Sequence, residues 1–437
     1  MHQLAIALKN KGYSVSGSDD EIYNPSRSIL KEQGLLPKKM GWFPKNINKS
    51  LDCVILGMHA KKDNPELLKA QELGIKIYSY PHFIAEYAQD KKRVVIAGSH
   101  GKTSITAAIM HVLRYWKKDF DFLVGARLKG FEGSIKLSDA PIIIMEGDEY
   151  LSSPIHPAPK IHYYYPQLAL LSGIAWDHMN VFPSFKNYKS QFTKFLDLMP
   201  LGATLVYNYE DEIVDEIVQK TMHLNTKLYG TPDFEQKAGN CSLIIDKKSI
   251  PLKIFGKHNM QNLMGAQRIC GELGINNKKF LKAIQSFEGA AKRLDVLKKT
   301  KKNAIYRDFA HAPSKVKATT DAVKSVYSER KLLAVFELHT YSSLNKDFLP
   351  QYHNTMQAAD DAVVYFDEHS LKIKKIPSIS INDVKKAFKR KDLTVLNSRK
   401  ELATFLQKHN WENYNLLMMS SGTFGGLENK DIVNFVF

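Results

Sequence analysis

The sequence predicts an α/β protein of three domains in series, and three observations carry that expectation. Apolar runs of strand length alternate with amphipathic stretches of helix length, the pattern of parallel sheets with crossover helices. At residues 93–110, RVVIAGSHGKTSITAAIM, an apolar run passes through a glycine-flanked turn directly into a helical pattern. The 437 residues also exceed what one ordinary hydrophobic core organises.

The first region, 1–90, opens with MHQLAIALKNKGYSV, a helix running into a strand at Gly12–Ser16 ahead of GSDD. Cys53–Leu56 and Ile75–Tyr78 read as further strands, with a polar helix at Asn64–Leu73 between them. A strand–helix–strand unit that begins on its helix lacks its first strand and turn. The chain therefore reads as starting late, or the sheet as one strand short. The second region, 91–290, runs from the quoted loop through strands at Pro141–Met145 and Ala169–Ile174 and a long helix near Tyr188–Leu198. It closes on a helix at Met260–Leu273, where Leu263, Ala266, Ile269, Cys270 and Leu273 recur at helical spacing as core residues. The third, 291–437, carries strands at Ala304–Phe309, Leu332–Phe336, Asp361–Tyr365, Leu393–Leu396 and Leu416–Met419.

Composition narrows the function. The net charge of +17 raises the question of nucleic acid, yet the lysines are scattered. The densest group, Lys298, Lys299, Lys301 and Lys302, falls in an expected hairpin turn. A lysine-rich surface of this kind suits anionic small substrates, and no nucleic-acid partner is expected. No apolar run approaches the roughly 20 residues of a spanning helix, and the first residues make no signal peptide, so no membrane is expected. Three widely spaced cysteines, Cys53, Cys241 and Cys270, fit a reducing compartment and neither a disulfide framework nor a zinc site. A cytoplasmic protein is the expectation.

In the quoted loop the strand Val94–Ala97 leads through Gly98 and Gly101 to a helix whose buried face carries Ile105, Ile109, Val112 and Trp116. That arrangement points backbone N–H groups and a helix dipole at an anion. Lys102 would reach nucleotide phosphates and the Thr103 hydroxyl a magnesium ion. The common phosphate loop has four residues between its glycines, and here only Ser99 and His100 intervene. Downstream, PIIIMEGDEY ends an apolar strand in Glu146, Asp148 and Glu149, oxygen ligands of the type magnesium takes at a sheet's carboxyl edge. Asp177-His178 ends the next strand, and a histidine there reads as structural or catalytic before it reads as a magnesium ligand. In FGKHNMQN, Lys257, His258, Asn259 and Asn262 suit either reading a base edge or capping a helix. YRDFAHAP places Asp308 and His311 at a strand end after Lys292-Arg293, and LLMMSSGTFGGL ends a strand in a glycine-rich turn.

In this order GSHGKTS, EGDEY, DHMN, GKHNMQN, KRLD and DFAHAP resemble the Mur ligase family, ATP-dependent amide-forming ligases of peptidoglycan metabolism. The family's phosphate loop has two residues between its glycines. The resemblance implies a Rossmann-like N-terminal domain, a central phosphate-loop ATPase domain and a Rossmann-like C-terminal domain. It implies that Gly98, Ser99, His100, Gly101, Lys102, Thr103 and Ser104 hold ATP, with His258, Asn259 and Asn262 toward the adenine. Thr103, Glu149 and His178 would bind Mg2+, with His178 beside the acceptor carboxylate. Arg293 would approach the γ-phosphate, and Asp308 with His311 would close the site from the C-terminal domain. Ser18, Asp19 and His339 are the implied substrate contacts. The implied reaction converts a muramoyl carboxylate to an acyl phosphate, which an amine then displaces.

GSDDEIYNPSRSILKEQG and MSSGTFGGL look most like the murein peptide branch, which joins L-Ala-γ-D-Glu-meso-diaminopimelate to UDP-N-acetylmuramate in recycling. The alanine-adding branch is the alternative, and an inactive nucleotide-binding protein is the alternative from another class. Either a monomer or a homodimer fits. Departures from the pattern are Ser99 for Thr, Leu151 after EGDEY, Gly173 for Asn, Asn180 for Asp and Lys292 for Arg. Glu337-Leu338-His339 stands for Glu-Pro-Arg. Some members carry a carbamylated lysine, for which Lys189 and Lys194 are both near.

Overall fold

The computed structural model describes residues 1–437 except 59, 127, 154, 156, 291–292, 368–370 and 372–378. The N-terminal part has helices α1 (His2–Asn10) and α2 (Ser26–Glu32), then β1 (Cys53–Leu56), α3 (Pro65–Glu72), β2 (Lys76–Ser79) and α4 (Tyr80–Tyr87). Asn64 caps α3 by accepting from the amides of Glu66 and Leu67, and Pro65 stands in its first turn, where no amide is needed. β1 and β2 pair in parallel as a two-stranded sheet. The expected strand at Gly12–Ser16 is not one. Among the described residues no strand lies beside it, and extended backbone without a ladder partner does not make a strand. Its Val15 packs instead against the core beneath the central sheet.

The central part is built on β3 (Lys92–Ala97), α5 (Lys102–Tyr115), β4 (Asp121–Leu123), β5 (Ile135–Lys136), β6 (Ile142–Gly147) and β7 (Leu168–Leu171). It continues with α6 (Phe185–Asp197), β8 (Thr204–Asn208), α7 (Glu212–Val218) and β9 (Asn225–Tyr229). These seven strands are ordered β5-β4-β6-β3-β7-β8-β9, parallel except for β5 at the edge. An antiparallel meander, β10 (Phe234–Lys237), β11 (Asn240–Ile245) and β12 (Lys248–Leu252), precedes α8 (Lys257–Glu272) and α9 (Asn277–Ile284). Ile105, Ile109 and Val112 of α5 are fully buried, sealing one face of the sheet with Leu263, Ala266 and Ile269 of α8.

The C-terminal part has β13 (Asp295–Lys299), β14 (Ala304–Asp308), α10 (Pro313–Val326), β15 (Lys331–Glu337) and β16 (Asp361–Tyr365). After it come α11 (Ile381–Phe388), β17 (Thr394–Leu396), α12 (Arg399–Lys408), β18 (Tyr414–Met419) and α13 (Asn429–Val436). The strand order is β13-β14-β18-β15-β16-β17, and only β13 runs antiparallel, as the first arm of the lysine-rich hairpin. In the central sheet β3 lies between β6 and β7, with Ala97 in register with Gly147 and Leu171. Three strand ends therefore open on one crevice, the place where open α/β sheets bind ligands. Among the described residues no helix is long and apolar enough to cross a membrane.

Candidate active site

The two-residue spacing of the loop has a steric basis. Gly98 has φ +124°, and a Cβ there would lie 2.2 Å from Ser172 Oγ and 3.0 Å from the Gly173 carbonyl. Gly101, at φ +80°, is the residue before α5, and its Cβ would meet Asn262 Oδ1 at 2.6 Å. The loop is thus pressed onto the end of β7 on one side and onto α8 on the other. The Ser99 amide donates to the Gly173 carbonyl at 2.8 Å, and Ser172 Oγ donates to the carbonyls of Ala97 and His100. Gly173, where the family pattern has Asn, leaves room for the His100 ring and Asp211, which lie 2.6 Å and 2.9 Å from its Cβ position. Glycine at both positions lets the loop wrap this tightly and still deliver Lys102 to the first turn of a helix.

Lys102 Nζ donates to the Gly98 carbonyl at 2.5 Å and to Glu149 Oε2 at 2.6 Å. Glu149 is 1 % exposed, and burial of the Lys102 ammonium is outweighed by Glu149 and Asp148, which hold its pKa above the ordinary value. Glu149 Oε1 accepts from the Tyr188 hydroxyl at 3.0 Å, and that hydroxyl also meets Ser99 Oγ at 2.8 Å. Sequence reasoning took Tyr188 only as a helix residue; here it ties the loop to the carboxylate. His178 Nε2 stands 3.7 Å from Glu149 Oε1, with φ +55° at its Cα. The Thr103 hydroxyl donates to Glu146 Oε2 at 3.2 Å, and Ser104 follows in α5. Burial raises the Glu146 carboxyl, whose Oε1 is buried with no hydrogen-bond partner among the described residues. Asp148 is taken up by Lys160 at 2.6 Å.

That orphaned oxygen beside a hydroxyl and a buried carboxylate fits a magnesium ion. No group of three His, Cys, Asp or Glu among the described residues forms a metal cage. Magnesium does not require one, since it is usually held by one or two carboxylates plus substrate phosphates.

The C-terminal part reaches this crevice. Asp177, at the end of the segment after β7, lies 3.7 Å from Lys315 Nζ and 3.9 Å from His311 Nε2. Trp176 meets Phe348 edge-on at 6.0 Å beside it. Burial works against the Asp177 carboxylate, but Lys315 above all holds its pKa well below the usual range. His311 Nδ1 hydrogen-bonds the Phe309 carbonyl at 2.8 Å, and the Tyr352 hydroxyl donates to the His311 carbonyl at 2.5 Å. Arg293 stacks on the Phe309 ring at 5.1 Å. Asp308 is buried and accepts from the amides of Leu294 and Ala310, both at 2.7 Å, so it fixes the turn that carries His311. Asn259 Nδ2 donates to the Phe255 carbonyl at 2.8 Å, a helix-end bond, while Asn262 faces Gly101. Lys315 belongs to no motif of the sequence, since it lies four residues past His311 and only α10 turns it inward.

Other expected contacts lie apart from this cluster. Ser18 Oγ donates to Glu66 at 2.7 Å and the Asp19 carbonyl bridges to the Gly41 amide, both within the N-terminal part. His339 lies 3.8 Å from buried Glu337, which also receives the Phe424 amide at 2.9 Å and so orders the glycine-rich turn after β18. Lys189 pairs with Glu216 on the surface of α6. Lys292 falls outside the described residues.

Three ring groups around the crevice are held neutral. Burial lowers His100 to about 4, His258 to about 4 and His311 to about 3, with Lys315 adding to His100 and His311 and Arg293 to His258. A histidine whose folded pKa is depressed stabilises the fold fully above its unfolded value near 6.5, and that stability is lost as pH falls toward the folded pKa. Between pH 7 and pH 5 each ring is therefore expected to cost about 1–2 kcal/mol. Thermal melts across this range should show the midpoint falling with pH, and less so in His258→Gln. A midpoint independent of pH over the interval would contradict the neutral assignment.

Residues 96–270 match the Mur ligase middle domain and residues 1–92 the domain described as the Mur ligase family, catalytic domain. The chain is 30 % identical over 384 residues to the UDP-N-acetylmuramate–L-alanine ligase of Caldicellulosiruptor bescii, covering 83 % of this chain and 80 % of that one. Among solved structures it resembles a murein peptide ligase from Psychrobacter arcticus, with TM-score 0.67, 20 % identity and coverage of 100 % and 96 %. It resembles a UDP-N-acetylmuramate–alanine ligase from Thermotoga maritima with TM-score 0.70 at the same identity and coverage.

Proposed function

Because this chain belongs to the Mur ligase family of ATP-dependent amide ligases, we propose that it joins a peptide, L-Ala-γ-D-Glu-meso-diaminopimelate, to the carboxylate of UDP-N-acetylmuramate. The segments GSDDEIYNPSRSILKEQG and MSSGTFGGL, which look most like the murein peptide branch, favour the peptide over a single amino acid. A cleft of about 420 Å³ beside the second of them is lined by Arg307, Thr423, Glu428, Asn429 and Lys430, with Lys430 paired to Glu428 at 2.9 Å. Arg307 is then the cation of that lining left to meet a carboxylate of the incoming peptide. L-alanine is the second reading, favoured by the identity to the alanine ligase of Caldicellulosiruptor bescii.

In this reading Gly98–Thr103 and Lys102 receive the phosphates of ATP, and Asn259, His258 and Asn262 border the nucleotide from α8. Thr103, Glu146 and Glu149 would hold magnesium, with His178 beside them. The ion supplies charge neutralisation on the phosphates. The acceptor carboxylate attacks the γ-phosphate, giving an acyl phosphate and ADP, and the peptide amine displaces phosphate with loss of its proton. The protein's part is alignment and fixed positive charge. Held neutral, His311 has a free ring nitrogen, Nε2, facing the Asp177 side of the crevice.

Phosphate release with ATP, magnesium and UDP-N-acetylmuramate should require the tripeptide and be slow with L-alanine. Release with alanine alone would replace the peptide reading by the alanine one. No release with either amine while ATP still binds would leave a nucleotide-binding protein.

A further inference from the structure

We propose that Lys315 is a second phosphate-binding lysine, delivered from the first turn of α10 to the terminal phosphate of a nucleotide held by the Gly98–Thr103 loop. The inference rests on the ATP reading above and concerns a residue outside every motif in the sequence.

Lys315 is unusually placed for a lysine. Its side chain is 18 % exposed, and its nearest carboxylate oxygen, on Asp177, is 3.7 Å away, too far for a hydrogen bond. Asp177 is shared with His311 at 3.9 Å. An ammonium with so little solvent and an ion pair beyond hydrogen-bond reach is poorly compensated, and a further anionic partner improves its position. The surrounding charges say what that partner is. Lys102 is joined to Lys315 through a chain of contacts. Lys102 pairs with Glu149 at 2.6 Å, Glu149 faces His178 at 3.7 Å, and His178 adjoins Asp177. Arg293 enters from the same C-terminal segment, over Phe309.

Three cations, Lys102, Lys315 and Arg293, thus meet in one crevice, where Asp177 is the carboxylate that faces Lys315. The other described carboxylates there are engaged, Glu149 by Lys102, Asp308 by backbone amides, Glu146 by Thr103 and Asp148 by Lys160. Burial lowers the Lys315 ammonium, Asp177 opposes this, and Lys102 and Arg293 add to it. Such mutual repulsion is relieved by an anion placed between them. The phosphate farthest along from the loop is the anion that reaches both lysines, and there Lys315 would exchange Asp177 for phosphate oxygens. Charge spread over the equatorial oxygens of a transferring phosphoryl group would then meet a cation from each side.

The test is a comparison of nucleotides. Binding of ADP and of the β,γ-imido analogue of ATP, each with magnesium, is measured by calorimetry on the wild-type chain, Lys315→Met, Lys315→Gln and Lys315→Arg. Loss of a charge-assisted contact predicts that Met and Gln weaken the analogue by about tenfold or more while ADP changes little. Arg should recover most of the difference. Thermal melts identify which neutral variant folds, and either suffices. An analogue-to-ADP ratio equal to the wild type in a folded neutral variant overturns the proposal. A wild-type chain that binds neither nucleotide overturns the ATP reading, and this inference with it.

Discussion

Lys102→Ala is expected to lower ATP-dependent phosphate release by about 10²–10³-fold, the scale of removing a preorganised group from a phosphoryl or oxyanion site. The structure adds a second expectation. Lys102 is the cation 2.6 Å from Glu149, which is 1 % exposed. Removing one partner of a buried pair leaves the other charge uncompensated, at about 3–5 kcal/mol. The Tyr188 hydroxyl keeps its bond to Glu149 but brings no charge. A magnesium ion on Glu149 supplies the missing positive charge, so it should raise the melting midpoint of Lys102→Ala more than that of the wild type. Phosphate release and melts with and without magnesium check both halves. Near-normal turnover would remove the loop lysine from the mechanism. An equal magnesium effect in both proteins would remove Glu149 from the metal site.

The parts of this site that the sequence discloses are those set by local backbone. A strand, two glycines at fixed spacing and a helix start form one continuous stretch, and carboxylates or Asp-His at strand ends are placed by the strands themselves. What stays hidden depends on packing between segments far apart in sequence. Lys315 becomes part of the crevice only because α10 docks its first turn beside Asp177, and Tyr188 only because α6 crosses behind Glu149. The meander of β10–β12 also escapes a reading by pattern. Its two-residue turns place Ala238 and Gly239, then Asp246 and Lys247, at positive φ, without the Asn-Gly or Asp-Gly pairs that normally signal such hairpins. Gly12–Ser16 fails in the opposite way, since its pattern suits a strand and the fold supplies no neighbour.

Gly98→Ala is expected to be more damaging than Gly101→Ala, although both change one loop glycine by one methyl. At Gly101 the added carbon meets the Asn262 amide oxygen at 2.6 Å, the end of a side chain that can turn aside. What remains is the left-handed backbone, about 1–3 kcal/mol for a residue with a Cβ. At Gly98 the carbon meets Ser172 Oγ at 2.2 Å, and behind it the carbonyl and amide of Gly173 at 3.0 Å and 3.1 Å. That backbone is fixed, because the amides on either side of Gly173 are held, that of Ser172 by the Ala97 carbonyl and that of Ile174 by Asp211 Oδ2, both at 3.1 Å. The loop must then lift off β7, which moves Ser99 away from Tyr188 and takes Lys102 out of reach of Glu149. Gly98→Ala should therefore lose nucleotide binding as well as turnover, whereas Gly101→Ala should keep measurable binding. Pairing each with removal of the blocking side chain separates the causes. Asn262→Ala should recover part of the loss in Gly101→Ala. Ser172→Ala should recover little in Gly98→Ala, because the peptide behind it still blocks the carbon. Full recovery of Gly98→Ala by Ser172→Ala would mean that a side chain and not the neighbouring strand sets the two-residue spacing. The close approach of loop to strand would then be incidental to how phosphate is held.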